Sequence, residues 1–62
     1  MSENNAIPQA VREAYTRLVA RWDYVSPLEH IAHVGCYMVQ VRSDETGCSM
    51  YLGIEPDGYT HS

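Results

Sequence analysis

The sequence predicts a small α+β protein with the element order helix, short helix, strand, strand (α-α-β-β), in which both helices pack on one face of an antiparallel β-hairpin. Three observations support this fold class. An apolar stripe near the N-terminus has helical spacing, two strand-like runs flank a polar turn that ends in glycine, and apolar side chains alternate along both runs. With 62 residues, the chain has room for a single domain, 1–62, and we expect residues 1–5 and 59–62 to be flexible.

The first helix is predicted by a stripe that starts after Pro8, a residue that the first turn of a helix tolerates. Asn5, just upstream, is a suitable N-cap. Apolar residues then recur at the spacing of one helix face: Val11, Ala14, Tyr15, Leu18, Val19 and Trp22.

A second, short helix is predicted from residues 26–33. Ser26, Pro27 and Glu29 have the arrangement of a capping box, with serine at the cap, proline in the first helical position and glutamate at the third. Gly35 is placed to help end this helix.

The hairpin is predicted from residues 34–42 and Cys48–Ile54, which are rich in β-branched and aromatic residues. Residues 44–47 form the loop, and its last position favours glycine, since φ is usually positive there. This loop length fixes the register: Ser43 opposite Cys48, Val41 opposite Met50, Val39 opposite Leu52 and Tyr37 opposite Ile54, with the last three pairs forming an apolar face.

Composition narrows the function classes. The net charge is −4, from eight acidic residues and four arginines, which argues against nucleic acid as the partner. The start of the sequence does not resemble a signal peptide, and no apolar run is long enough for a membrane helix. We therefore expect a cytoplasmic protein that binds no membrane. Its two cysteines lie on opposite faces of the hairpin and should be free thiols.

The second face of the hairpin is the predicted binding surface, because it carries tyrosine and methionine, two residue types enriched at protein interfaces. Neither strand contains the lysine or proline that commonly protects a sheet edge. We expect a homodimer with a four-stranded sheet as the simplest way to cover these edges. The candidate partner-binding residues are Cys36, Met38, Gln40, Arg42, Tyr51 and Tyr59.

These features favour a small, non-enzymatic protein that acts by binding a protein partner, as an inhibitor, adaptor or assembly subunit. Its size would suit a protein encoded by a phage or mobile element. No catalytic residue, cofactor site or metal site is predicted. One alternative is a small dimeric regulator that reads nucleic acid with Gln40 and Arg42 of the two-stranded ribbon. Another is a metal-stapled domain using His30, His33 and Cys36, a set that lacks a fourth ligand nearby.

Overall fold

The computed structural model describes residues 7–62, which form one helix and a five-stranded sheet whose strand pairs are all antiparallel. The α+β class is thus confirmed. The sheet order is β1-β3-β4-β5, and β2 pairs with the same strand as β1. The elements in chain order are α1 (Gln9–Arg21), β1 (Tyr24–Val25), β2 (Glu29–Ile31), β3 (Cys36–Ser43), β4 (Cys48–Ile54) and β5 (Thr60–His61).

Helix α1 follows Pro8, whose carbonyl oxygen accepts hydrogen bonds from the backbone N–H groups of Val11 and Arg12 at 3.1 and 3.2 Å. Val11 and Ala14 are buried against the sheet, as the apolar stripe predicts. Val19 is 51% exposed, because the sheet covers a narrower arc of the helix than the stripe spans. The expected cap, Asn5, lies outside the described residues.

The β3–β4 hairpin has the predicted register at every pair from Tyr37–Ile54 to Ser43–Cys48. Gly47 closes the loop with φ 72°, and its N–H donates to the Ser43 carbonyl oxygen at 2.8 Å. The positive φ explains why glycine occupies this position. Turn chemistry and the period-two pattern therefore determine the same hairpin.

The predicted second helix is wrong. Residues 29–31 form β2, which pairs with the outer edge of β3 from Ile31–Cys36 to Glu29–Met38, and the chain then turns through residues 32–35. Tyr24 and Val25 form β1, which pairs with Arg42 and Val41 further along the same edge.

Hydrogen bonding at Ser26 explains the difference. The Ser26 N–H donates to the Gln40 carbonyl oxygen at 2.9 Å, and the Gln40 N–H donates to Ser26 Oγ at 2.8 Å. The hydroxyl that would have capped a helix thus accepts from β3. A helix of two turns has few internal hydrogen bonds to offset its nucleation cost, whereas pairing with β3 satisfies backbone groups on both segments.

The expectation of two unpaired hairpin edges also requires correction. The chain's own β1 and β2 cover the outer edge of β3, and β5 pairs with β4 at Gly53 and Ile54. The sheet therefore has five strands from one chain rather than four from two copies. Only residues 48–52 of β4 lack a second strand neighbour within the described part of the chain. Of residues 59–62, Thr60 and His61 lie in β5; residues 1–5 are not described.

The core lies between α1 and the helix-facing side of the sheet. Its buried members come from α1, β3 and the last residue of β4: Val11, Ala14, Tyr37, Val39, Val41 and Ile54. The predicted packing of the first helix on one face of the hairpin is therefore confirmed. No helix in residues 7–62 has the length and apolar character needed to span a bilayer.

Candidate functional site

The face of the sheet turned away from α1, called the open face below, is built on β3. Cys36, Met38 and Gln40 are half-buried and alternate with the buried core residues of that strand, while Arg42 is exposed near the loop. Because side chains of an antiparallel pair project to the same side at opposite positions, the register adds Tyr51 beside Gln40. The open face thus contains most of the predicted binding residues.

A shallow hollow of about 290 Å³ lies on the open face, where β2 and the segment before it meet β3 and β4. Met38, Gln40 and Tyr51, three of the predicted binding residues, line it. Besides Val39 of β3, the rest of the lining comes from the segment that was expected to be helical: Ser26, Pro27 and Glu29. The strand pairing that replaced the second helix therefore forms one wall of the site.

The chemistry of the hollow is aromatic and acidic. Tyr51 is 61% exposed, and it lines the hollow together with Met38. The Glu29 carboxylate makes no ion pair within the described residues. A carboxylate without an ion pair and an exposed aromatic ring that line the same hollow suit a lysine or arginine side chain, since the ring face and the carboxylate both attract a cation.

Arg42 lies on the open face but outside the hollow. Its Nε donates to Asp44 Oδ1 at 3.0 Å, and its guanidinium lies 5.1 Å from the centre of the Tyr24 ring. The backbone N–H of Asp44 in turn donates to Asp23 Oδ2 at 2.7 Å. Arg42 is thus engaged in holding the loop end of the hairpin, and its charge is offset by a neighbouring carboxylate.

Tyr59 and His61 form a second aromatic patch beside β5. Their ring centres are 5.8 Å apart, and Tyr59 is 65% exposed. His61 Nε2 lies 2.9 Å from Glu55 Oε2, and the imidazole ring covers Gly53, where a Cβ atom would come within 2.7 Å of the ring. Across the sheet, His61, Gly53, Met38 and Glu29 form one row, which joins this patch to the hollow.

The histidines and cysteines are dispersed. His30 stacks on the core residue Tyr37 with ring centres 4.7 Å apart, while Cys36 lies on the open face and His33 in the turn between β2 and β3. Across residues 7–62, no three His, Cys, Asp or Glu side chains are grouped so that they could hold a metal ion. Cys36 and Cys48 are free thiols.

The structure therefore brings Met38, Gln40 and Tyr51 together and places Arg42, Cys36 and Tyr59 around them. Sequence reasoning missed Ser26, Pro27 and Glu29 as site residues, because it placed them in a helix. Two signals could have found them: the β-favouring residues that flank this segment, Tyr24, Val25 and Ile31, and the unprotected edge of β3, which a nearby strand would cover.

A second shallow hollow, of about 260 Å³, lies at the loop end of the hairpin on the helix side, between Trp22 and Cys48. Its lining lacks an exposed aromatic residue comparable to Tyr51, so the open face is the better candidate site. No protein-family model matches the chain, and no curated protein or solved structure matches it.

Proposed function

We propose that this chain is a non-enzymatic protein-binding module, acting as an inhibitor, adaptor or assembly subunit, and that its open face holds a basic segment of the partner protein. The observation that carries the proposal is Tyr51, 61% exposed, in a hollow that is also lined by Glu29, whose carboxylate makes no ion pair in the described chain.

Exposed aromatic residues support protein binding. Tyr51 and Tyr59 both expose more than half of their surface, and tyrosine is among the residues that contribute most to binding energy at interfaces. Met38 adds a flexible apolar surface that adapts to a partner side chain.

Charge supports a basic partner. The chain carries a net charge of −4, and the arginine on the open face is already paired with Asp44. Phosphate binding needs free cations, so this pairing argues against nucleic acid. A partner lysine or arginine would instead find the Glu29 carboxylate and the Tyr51 ring in the same hollow.

The lining of the hollow supports a binding role rather than catalysis. Nucleophilic catalysis needs a nucleophile within hydrogen-bond reach of a base. Ser26 Oγ is 2.8 Å from the Gln40 backbone nitrogen, from which it accepts a hydrogen bond. The lining contains no histidine or cysteine.

The test is a binding measurement with matched variants. Proteins captured from the source organism on the immobilised chain are purified individually, and dissociation constants are measured for the unaltered chain, Tyr51→Arg, Glu29→Lys and Val34→Arg. Val34 is 60% exposed in the turn before β3, so it controls for adding a charge at an equally exposed position.

We expect Tyr51→Arg and Glu29→Lys each to weaken binding by roughly tenfold or more, as the loss of an interface hot spot does, and Val34→Arg to have little effect. Equal losses in all three variants, or none in any, would contradict a site in the hollow. Capture of nucleic acid alone, with affinity falling steeply as salt rises, would replace the proposal by the regulator hypothesis.

A further inference from the structure

We infer that a second copy of this chain pairs antiparallel with the uncovered outer edge of β4, about a twofold axis at Met50. This rests on the proposed function, that the chain acts by binding protein, and deepens it by naming a partner and the strand register that it uses. Four observations support the inference: the direction of the β4 backbone groups, the composition of the edge, the register that a twofold axis permits, and the side chains that this register brings together.

Backbone groups of Ser49 and Tyr51 point away from β3. Gln40 directs its N–H and C=O groups toward Ser26, so it forms a non-hydrogen-bonded pair with Tyr51 across the hairpin. The N–H and C=O of Tyr51 therefore point to the outer edge, and strand alternation places those of Ser49 there too. Glu55 belongs to the same series, and its N–H does bond outward, to the Tyr59 carbonyl oxygen at 2.8 Å.

The edge that carries these groups is free of protective residues. Residues 48–52 include no charged residue and no proline, and β5 covers β4 only at Gly53 and Ile54. No strand in the described part of the chain accepts from or donates to the outward groups of Ser49 and Tyr51. Such an edge is a template for another extended strand.

A twofold axis at Met50 uses this free edge and nothing else. It places Ser49 opposite Tyr51 of the partner subunit, and each such pair of outward-directed residues exchanges two hydrogen bonds. An axis at Tyr51 would need Gly53, which already pairs with His61, and an axis at Ser49 would need Gly47, which lies in the turn. One symmetric register therefore satisfies every outward group of the segment.

Side chains on both faces favour the same register. Met50, 36% exposed on the helix side, would lie against Met50 of the partner subunit. On the open face, Tyr51 would be diagonal to Tyr51 of the partner subunit, at the distance of about 7–8 Å that aromatic side chains bridge. No like charges face each other, and the two open faces join, so that the two hollows become neighbours.

The first test is amide hydrogen exchange of the unaltered chain, followed by NMR at low and high protein concentration. We expect the exchange of the Ser49 and Tyr51 amides to slow by on the order of tenfold or more as concentration rises, together with a shift in sedimentation from 7.0 kDa to twice that mass. The Met50 amide points toward β3 and is the internal control, protected at both concentrations. Protection of Ser49 and Tyr51 in a strict monomer would overturn the inference, as would no protection at any concentration.

The second test fixes the register. Met50→Cys is made in a Cys36→Ser/Cys48→Ser background, because Met50 and its symmetry mate would form a non-hydrogen-bonded pair with Cα atoms about 4.5 Å apart, within the range for a disulfide. Val34→Cys in the same background is the control for random collision, since Val34 is 60% exposed and Met50 only 36%, so that random collision would favour the control. In a glutathione buffer we expect on the order of tenfold more disulfide dimer for Met50→Cys. Equal yields would contradict the register.

The two proposals fail separately. A strict monomer whose binding to a purified partner still depends on Tyr51 would overturn the dimer and leave the binding module intact. A dimer with the Met50 register that binds no other protein through the hollow would support the inference and contradict the proposed function.

Discussion

β3 and β4 are paired strands of similar length, yet they differ in burial. Helix-facing residues of β3 are buried at every second position from Tyr37 to Val41, whereas β4 is exposed from Cys48 through Tyr51 and buried only at Gly53 and Ile54. β3 has strand neighbours on both edges, while β4 has a second neighbour only where β5 reaches it. Burial in this sheet thus follows the chain segments that come to lie beside each strand.

Val41 and Met50 show the same difference in burial between two single side chains. They are cross-strand partners on the helix side, but Val41 is fully buried and Met50 is 36% exposed. Alternation of apolar residues determines which face a side chain joins. It does not determine whether another layer covers that position.

Comparing two alanine variants within β4 should give the largest effect. Ile54→Ala at the covered end removes a fully buried side chain, and we expect a loss of about 2–5 kcal/mol in the free energy of unfolding, measured by urea denaturation. Met50→Ala at the bare end should cost less than about 1 kcal/mol in dilute solution, because its side chain is already partly solvated.

If Met50→Ala lowers the free energy of unfolding nearly as much as Ile54→Ala does, the two ends of β4 do not differ in burial, and the end that contains Met50 is covered in solution. If that loss appears only at high protein concentration, the cover is a second copy. If it appears at every concentration, the cover comes from the same chain.

The sequence was sufficient for the hairpin because two independent constraints agreed. Gly47 and the loop length set the turn, and the period-two pattern through Val39 and Leu52 set the facing pairs; a shift of one residue would have violated both. Helix α1 was predictable for a similar reason, since its stripe extends over several turns.

The segment from Ser26 to Ile31 was not predictable in this way. Its capping-box residues favour a helix, which depends on local contacts only. Pairing with β3 competes with that helix and is nonlocal, since Ser26 and Gln40 are more than ten positions apart in the sequence. Ser26 can accept a hydrogen bond from either backbone, so local chemistry alone does not decide the outcome. Because this pairing is nonlocal, Pro27 and Glu29 were not among the predicted site residues. Met38, Gln40 and Tyr51 were predicted from strand alternation alone.

Comparing Ser26→Ala with Thr46→Ala tests whether a hydrogen bond at the covered edge of β3 contributes more to stability than one in the exposed loop before β4. Ser26→Ala leaves the partly buried Gln40 N–H without its acceptor, and we expect a loss of about 1–2 kcal/mol in unfolding free energy. Thr46→Ala removes a comparable acceptor, 3.3 Å from the Cys48 nitrogen, but at an exposed position where water replaces it. It should change unfolding free energy by less than about 0.5 kcal/mol. Losses of equal size in the two variants would show that the hydrogen bond at the covered edge of β3 contributes no more than the one in the exposed loop.

A small net change is expected at Gly53, where β4 passes from the part without a second strand neighbour to the part that β5 covers. Gly53→Ala places a Cβ 2.7 Å from the His61 ring, but the ring is the free end of a side chain and can turn away, which breaks its contact with Glu55. Alanine also reduces the backbone entropy of the unfolded strand, so the two effects nearly cancel and unfolding free energy should change by less than about 1 kcal/mol. The expected signature is a displaced His61 ring resonance in NMR with the Gly53–His61 backbone pairing retained. Loss of that pairing would show instead that the histidine ring anchors β5, and that the covered end of β4 depends on one side chain.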